Sequence, residues 1–289
     1  SCGVGFYSPP GQVACIPCAL GHADSDTDPA TPCVACPAGR SASTSGLTVC
    51  TVCLPGFADL DGTSTSACTS CHPGTFSGLE AVSCDECAAG RVDDDDDSST
   101  ACVACSPGRR SVAGSRECIL CPAGEADTDS DPATPCIQCD IGFYAEPGAV
   151  FCTECQSGQA DTDSNSGTPC EVCDMGKYSA AGTTNCVQCT RNAMDDDSNS
   201  STPCVDCASG YISSPGATSC IGCAVGKLYN ASLGVCTACP LGQYQASEAQ
   251  SSCIDCAAGQ YANAGGQSSC IACEAGKYTN AAGVRECDL

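Results

Sequence analysis

Cysteine spacing constrains this chain more than any other feature. From Cys2 to Cys287 it repeats one short unit: a cysteine, two residues, a glycine, a loop and a closing cysteine. Residues 18–33, CALGHADSDTDPATPC, show it clearly. A two-residue joint links each closing cysteine to the next opening one. The 34 cysteines therefore read as sixteen C-x-x-C pairs with a single cysteine at each end. Counted from opening to closing cysteine, there are seventeen repeats with steps of 13, 14 or 15 residues. A period this regular marks a tandem array.

About one residue in eight is cysteine, the composition of a disulfide scaffold. Trp is absent, and only 5 Phe and 8 Tyr occur in 289 residues. One large core cannot be assembled from this inventory, and small cores knitted by covalent bonds are the alternative. Such cysteine density needs an oxidising compartment, which places the chain outside the cell or at the cell surface. No apolar run is long enough to cross a membrane, so no membrane insertion is expected within this segment. Ser1 reads either as the residue after a removed signal or as the cut edge of a larger protein. The formal net charge of −24 and the scattering of the 10 Lys and Arg disfavour nucleic acid and anionic membrane surfaces as partners.

Two kinds of repeat alternate. Acidic repeats open at Cys18, Cys53, Cys87, Cys121, Cys155 and Cys189 and always step 15 residues. Plain repeats step 13 or 14, as in 139–152, CDIGFYAEPGAVFC. The alternation covers residues 1–206, and 207–289 hold plain repeats alone. The third residue after the opening cysteine is Gly in sixteen of seventeen repeats, with Asn192 the exception. Gly with Asn as its one substitute marks a left-handed backbone position, so a tight turn is expected there. Tyr7, Phe76, Tyr144, Tyr178, Tyr244, Tyr261 and Tyr278 recur five residues past the opening cysteine in plain repeats. They are expected to form small cores over the disulfides rather than ligand-stacking sites. The expected fold is a small disulfide-rich repeat array: an elongated rod of short β-hairpin and loop units, essentially without helix.

Three chemistries compete for the C-x-x-C pairs. Nearest-neighbour disulfides, from Cys2–Cys15 to Cys273–Cys287, use every cysteine in seventeen bonds. Interlocked pairing between neighbours strands cysteines at the ends, although sequence alone does not fix connectivity. Zinc would make eight four-cysteine sites with two orphans, in a compartment that oxidises free thiolates. Thiol–disulfide exchange needs one activated thiolate, and sixteen near-equivalent pairs offer no distinguished one. Disulfides are the expectation. One bond closing a loop of this length contributes about 3 kcal/mol, well short of the cost of ordering a repeat's backbone. Stacking between repeats must supply the difference.

Every acidic repeat carries Asp at six and eight residues past its opening cysteine: Asp24/Asp26, Asp59/Asp61, Asp93/Asp95, Asp127/Asp129, Asp161/Asp163 and Asp195/Asp197. Ten residues past it stand Asp28, Thr63, Asp97, Asp131, Asn165 and Asn199. If the segment is extended, alternate residues face one side and three oxygen-bearing side chains point together. Calcium takes such hard ligands, usually six to eight of them. The pattern resembles the first half of an EF-hand loop or a thrombospondin-type calcium repeat, without the EF-hand's sixth-position Gly and closing Glu. The competing reading is a solvated acidic face that keeps a core-poor array soluble. Asn199 and Asn230 open N-glycosylation sequons, and Ser and Thr beside Pro, as in Thr31-Pro32, offer O-glycan attachment. No catalytic constellation is recognisable, since His22 and His72 sit in different repeats and no serine has an acid–base setting.

Segments such as CDMGKYSAAGTTNCVQC (173–189) and CEAGKYTNAAGVREC (273–287) resemble the ephrin-receptor-like cysteine-rich repeat, whose relatives include growth-factor and tumour-necrosis-factor receptor modules. The acidic variant at 126–136 looks like versions in large surface proteins of algae and other protists, and long arrays of this kind are similar to mastigoneme proteins. The resemblance implies a structural extracellular protein in a surface filament or flagellar hair, not an enzyme. Its expected partners are further copies of itself, other filament or surface proteins, and glycans. The alternatives are the stalk of a receptor or adhesion ectodomain and a calcium-binding surface antigen.

Overall fold

The computed structural model describes residues 1–288. Among them, thirty-two short strands form sixteen separate two-stranded antiparallel sheets, and there is no helix. It follows that no helix is long and apolar enough to cross a membrane. All seventeen disulfides join nearest neighbours, from Cys2–Cys15 to Cys273–Cys287, at sequence separations of 13 to 15, and no cysteine is free among the described residues.

Each repeat is built the same way. The residue four past the opening cysteine donates its N–H to the carbonyl one past it, as Phe6 does to Gly3 and His22 to Ala19. This closes a four-residue turn whose third position needs positive φ. Gly5 (φ 82°) and its counterparts hold that position, and Asn192 holds it at 65°. In the first sixteen repeats the next two residues form a strand whose partner is the two-residue joint, and the last repeat has a single bridge from Tyr278 to Asp288 instead. Phe6 and Tyr7 pair with Pro17 and Ile16, and His22 and Ala23 pair with Ala35 and Val34. The joint is therefore half of a hairpin. The longest hairpin, Lys227–Asn230 with Val235–Ala238, has four residues in each strand.

The chain divides into two compact units, Ser1–Cys139 with Ala145–Cys152 and Asp140–Tyr144 with Thr153–Leu289. Within each unit a repeat bonds to the next and touches the one after. In the first, Ser111 N–H donates to Pro132 O of the next repeat at 3.1 Å, and Gly148 N–H donates to Cys121 O at 2.8 Å. A Cβ built on Gly108 would lie 2.1 Å from Gly148 O, two repeats on. In the second unit, Ser179 N–H meets Ser200 O at 3.1 Å, and a Cβ on Gly142 would lie 2.1 Å from Gly182 O. Glycine is thus needed at this position in most plain repeats for close approach as well as for φ, whereas Gly259 and Gly276 face open space and answer to φ alone.

The same approach decides the core. Its members are opening cysteines such as Cys18, Cys53 and Cys87, with Ala23, Ala42, Ala58, Ala126, Ala160 and Ser179, all buried. The aromatic rings were expected there. Instead Tyr7, Phe76, Tyr144, Tyr178, Tyr244 and Tyr261 are half-buried and Tyr278 is 58% exposed. Backbones packed this closely leave room for Cys, Ala and Ser, and the rings keep part of their surface in solvent.

Candidate functional site: the acidic loops

The three acidic-loop positions have three different surroundings. The aspartates six past the opening cysteine, Asp24, Asp59, Asp93, Asp127, Asp161 and Asp195, are all buried, none more than 7% exposed. Five of them accept the turn glycine N–H of the preceding repeat on Oδ2: Gly5 to Asp24 (3.0 Å), Gly74 to Asp93 (2.8 Å), Gly108 to Asp127 (2.9 Å), Gly142 to Asp161 (3.0 Å) and Gly176 to Asp195 (2.9 Å). Charge-assisted bonds of this kind are the stronger ones. Each of these buried carboxylates therefore latches one repeat to the one before it.

Where an acidic repeat hands over to a plain one, the same donor finds a backbone acceptor. Gly90 N–H donates to Ser111 O, and Gly124 N–H to Ala145 O. In these plain repeats the sixth position is small and buried, and its hydroxyl, where present, bonds back across the junction. Ser111 Oγ donates to Arg91 O at 3.0 Å and Ser179 Oγ to Gln159 O at 2.8 Å. Sequence reasoning missed this position in plain repeats. The available clue was its restriction to small or polar residues, such as Ala42, Ser77, Ser111, Ala145, Ser179 and Ser213.

The second aspartate turns inward on its own loop. Asp26 Oδ1 accepts from Asp28 N at 3.0 Å and from Thr31 Oγ1 at 2.9 Å. Asp61 accepts from Thr63 N and Ser66 Oγ, and Asp95, Asp129, Asp163 and Asp197 repeat the arrangement with Thr100, Thr134, Thr168 and Thr202. Backbone and hydroxyl donors hold Asp26 and Asp129 below the usual carboxylate range, and Ser66 and Thr63 bring Asp61 down to about 2. The Ser or Thr two before the closing cysteine is the partner that sequence reasoning overlooked, although it stands in all six acidic repeats. The third position forms another turn of the same kind. Asp28, Asp97, Asp131, Asn165 and Asn199 each accept the backbone N–H two residues on, at 2.9–3.1 Å.

The segment is not extended. Thr27, Gly62, Asp96, Ser130, Ser164 and Ser198, between the second and third positions, all have positive φ, from 54° to 65°. A left-handed residue breaks the alternation that would point the three side chains one way. Among the described residues no three His, Cys, Asp or Glu side chains converge as a metal site would require. Within the run Asp93–Asp97, Asp93 is buried, Asp95 closes its own loop and Asp96 pairs with Arg116, which lowers its pKa.

Residues 226–263 match the family model described as tyrosine-protein kinase ephrin type A/B receptor-like. That span runs from the turn of repeat 223–236 into repeat 256–270. No curated protein matches the chain. The seventeen disulfides and this family match fit an extracellular protein.

Proposed function

We propose that the chain is a structural extracellular protein, a disulfide-braced repeat array within a surface filament or flagellar hair of the mastigoneme kind. One observation carries this reading: repeat after repeat bonds to its neighbours through the same backbone groups, and none is set apart as a centre of chemistry among the described residues. Tension along such an array passes through equivalent repeats in series, each braced by its own covalent loop and hydrogen bonds, so no single repeat is the weak link. In this reading the exposed carboxylates eight and ten past the opening cysteine are the ligands offered to calcium between neighbouring molecules.

The match of 226–263 to a receptor-type module supports a second reading, the stalk of a receptor or adhesion ectodomain. Electron microscopy of the native material, with and without a calcium chelator, separates them. Long ordered fibres are expected, and fraying on chelation would assign the exposed carboxylates to calcium. Isolated thin particles at high concentration would replace the filament with the stalk.

A further inference from the structure

Two asparagines stand in the acidic loops at the third position, Asn165 and Asn199, each in the same local turn. Only Asn199 has a hydroxyl two residues on. Its Oδ1 accepts from Ser201 N at 3.1 Å and from Ser201 Oγ at 2.7 Å. The side chain is exposed, and none of its hydrogen bonds uses Nδ2. Asn230 ends the first strand of the four-residue hairpin. Its Oδ1 accepts from Ser232 N at 3.1 Å and Leu233 N at 3.3 Å, again without engaging Nδ2. Asn185, Asn192, Asn263 and Asn280 lack a hydroxyl two residues on, and Asn192 Nδ2 is tied to Gly234 O at 2.9 Å.

We propose that Asn199 and Asn230 are N-glycan attachment sites, presented by local turns that engage the amide oxygen and leave the amide nitrogen free. The co-reactant is a lipid-pyrophosphate-linked oligosaccharide. Nδ2 attacks its anomeric carbon and an N–C bond forms. The C–O bond to pyrophosphate breaks, the pyrophosphate leaves with the electron pair, and the transferase takes the proton lost from Nδ2. Donors on Oδ1 stabilise the charge that gathers there as the nitrogen gives up its proton. The bonds that shape both turns span two or three residues, so they can form before distant repeats have packed. Because Asn192 ties the 189–204 repeat to Gly234 of the 223–236 repeat, the two glycans would sit on adjoining parts of one unit. This inference holds whether the array belongs to a filament or to a stalk.

The test is secretion of the full chain from a eukaryotic cell, followed by peptide-N-glycosidase digestion and peptide mass spectrometry. Asn199 and Asn230 are expected to be converted to Asp by the enzyme, and Asn165 to stay unconverted. Asn199→Gln and Asn230→Gln should each remove one step of gel mobility. Recovery of either asparagine unmodified from the secreted protein would overturn the assignment of that site, and mapping the unaltered chain avoids reliance on variants that fail to fold. Gly167→Ser places a hydroxyl two residues past Asn165 and should add a third glycan. A secreted Gly167→Ser protein without one would overturn the argument from turn geometry.

Discussion

The buried aspartate six past the opening cysteine answers to a backbone group in another repeat. Asp127→Ala leaves the buried Gly108 N–H without its 2.9 Å acceptor, at a cost of about 1–3 kcal/mol. Asp94→Ala, at an exposed member of the acidic run, should stay within about 0.5 kcal/mol. Denaturation with disulfides intact, together with hydrogen exchange at the Gly108 amide, checks both; equal losses would contradict the latch. The turn glycines offer a second contrast. A Cβ on Gly142 meets the Gly182 carbonyl at 2.1 Å, whereas one on Gly21 first meets the Thr65 side-chain methyl Cγ2 at 3.1 Å. Both substitutions carry the left-handed penalty of about 1–2 kcal/mol. Gly142→Ala should cost visibly more in the same assay, because a backbone carbonyl two repeats away must also move.

The acidic loop as an element is a carboxylate-closed turn, and its pH dependence follows from that. Asp26, Asp61, Asp129 and Asp163 have folded pKa values below the ordinary carboxylate value, chiefly through backbone and hydroxyl donors. For a depressed pKa, the stabilisation is complete above the unfolded value of about 3.9 and is lost as pH falls through the folded one. The loops should therefore hold at pH 5 and loosen on further acidification, with the Asp61 loop persisting until about pH 2. Amide exchange at Thr63, whose N–H is bonded to Asp61, reads this directly. Loosening above pH 5 would show that the carboxylates do not close the turns.

The whole molecule is an array in which coupling is short-ranged. Backbone bonds reach the next repeat, while close approaches and a few side-chain bonds such as Asn192 to Gly234 reach the one after, so a lesion at Gly142 should raise exchange around Gly158 and Gly182 and fade beyond. Each disulfide closes a loop of 13 to 15 residues around a core made largely of cysteine, alanine and serine. Full reduction and alkylation should therefore unfold the array, seen as loss of exchange protection at the turn-glycine amides. Protection that survived reduction would mean that packing between repeats suffices without the covalent loops.

The sequence by itself determined the features that are local in the chain. Cysteine spacing pointed to nearest-neighbour disulfides, in which each loop closes within one repeat, and the structure pairs them so. The Gly and Asn192 pattern determined the turn, because left-handed φ is a property of one residue. Tertiary structure alone decided the features that depend on distant partners. It made the joint a strand and put Cys, Ala and Ser rather than the rings in the core. It also sent Asp24, Asp93, Asp127, Asp161 and Asp195 to a glycine 19 residues upstream while Asp26 closed its own loop. The three oxygens alternate when read along the chain, but a left-handed residue such as Thr27 rotates the segment between them. Spacing in sequence describes what a residue can reach along its own backbone. Which backbone arrives from the next repeat is settled only when the repeats pack.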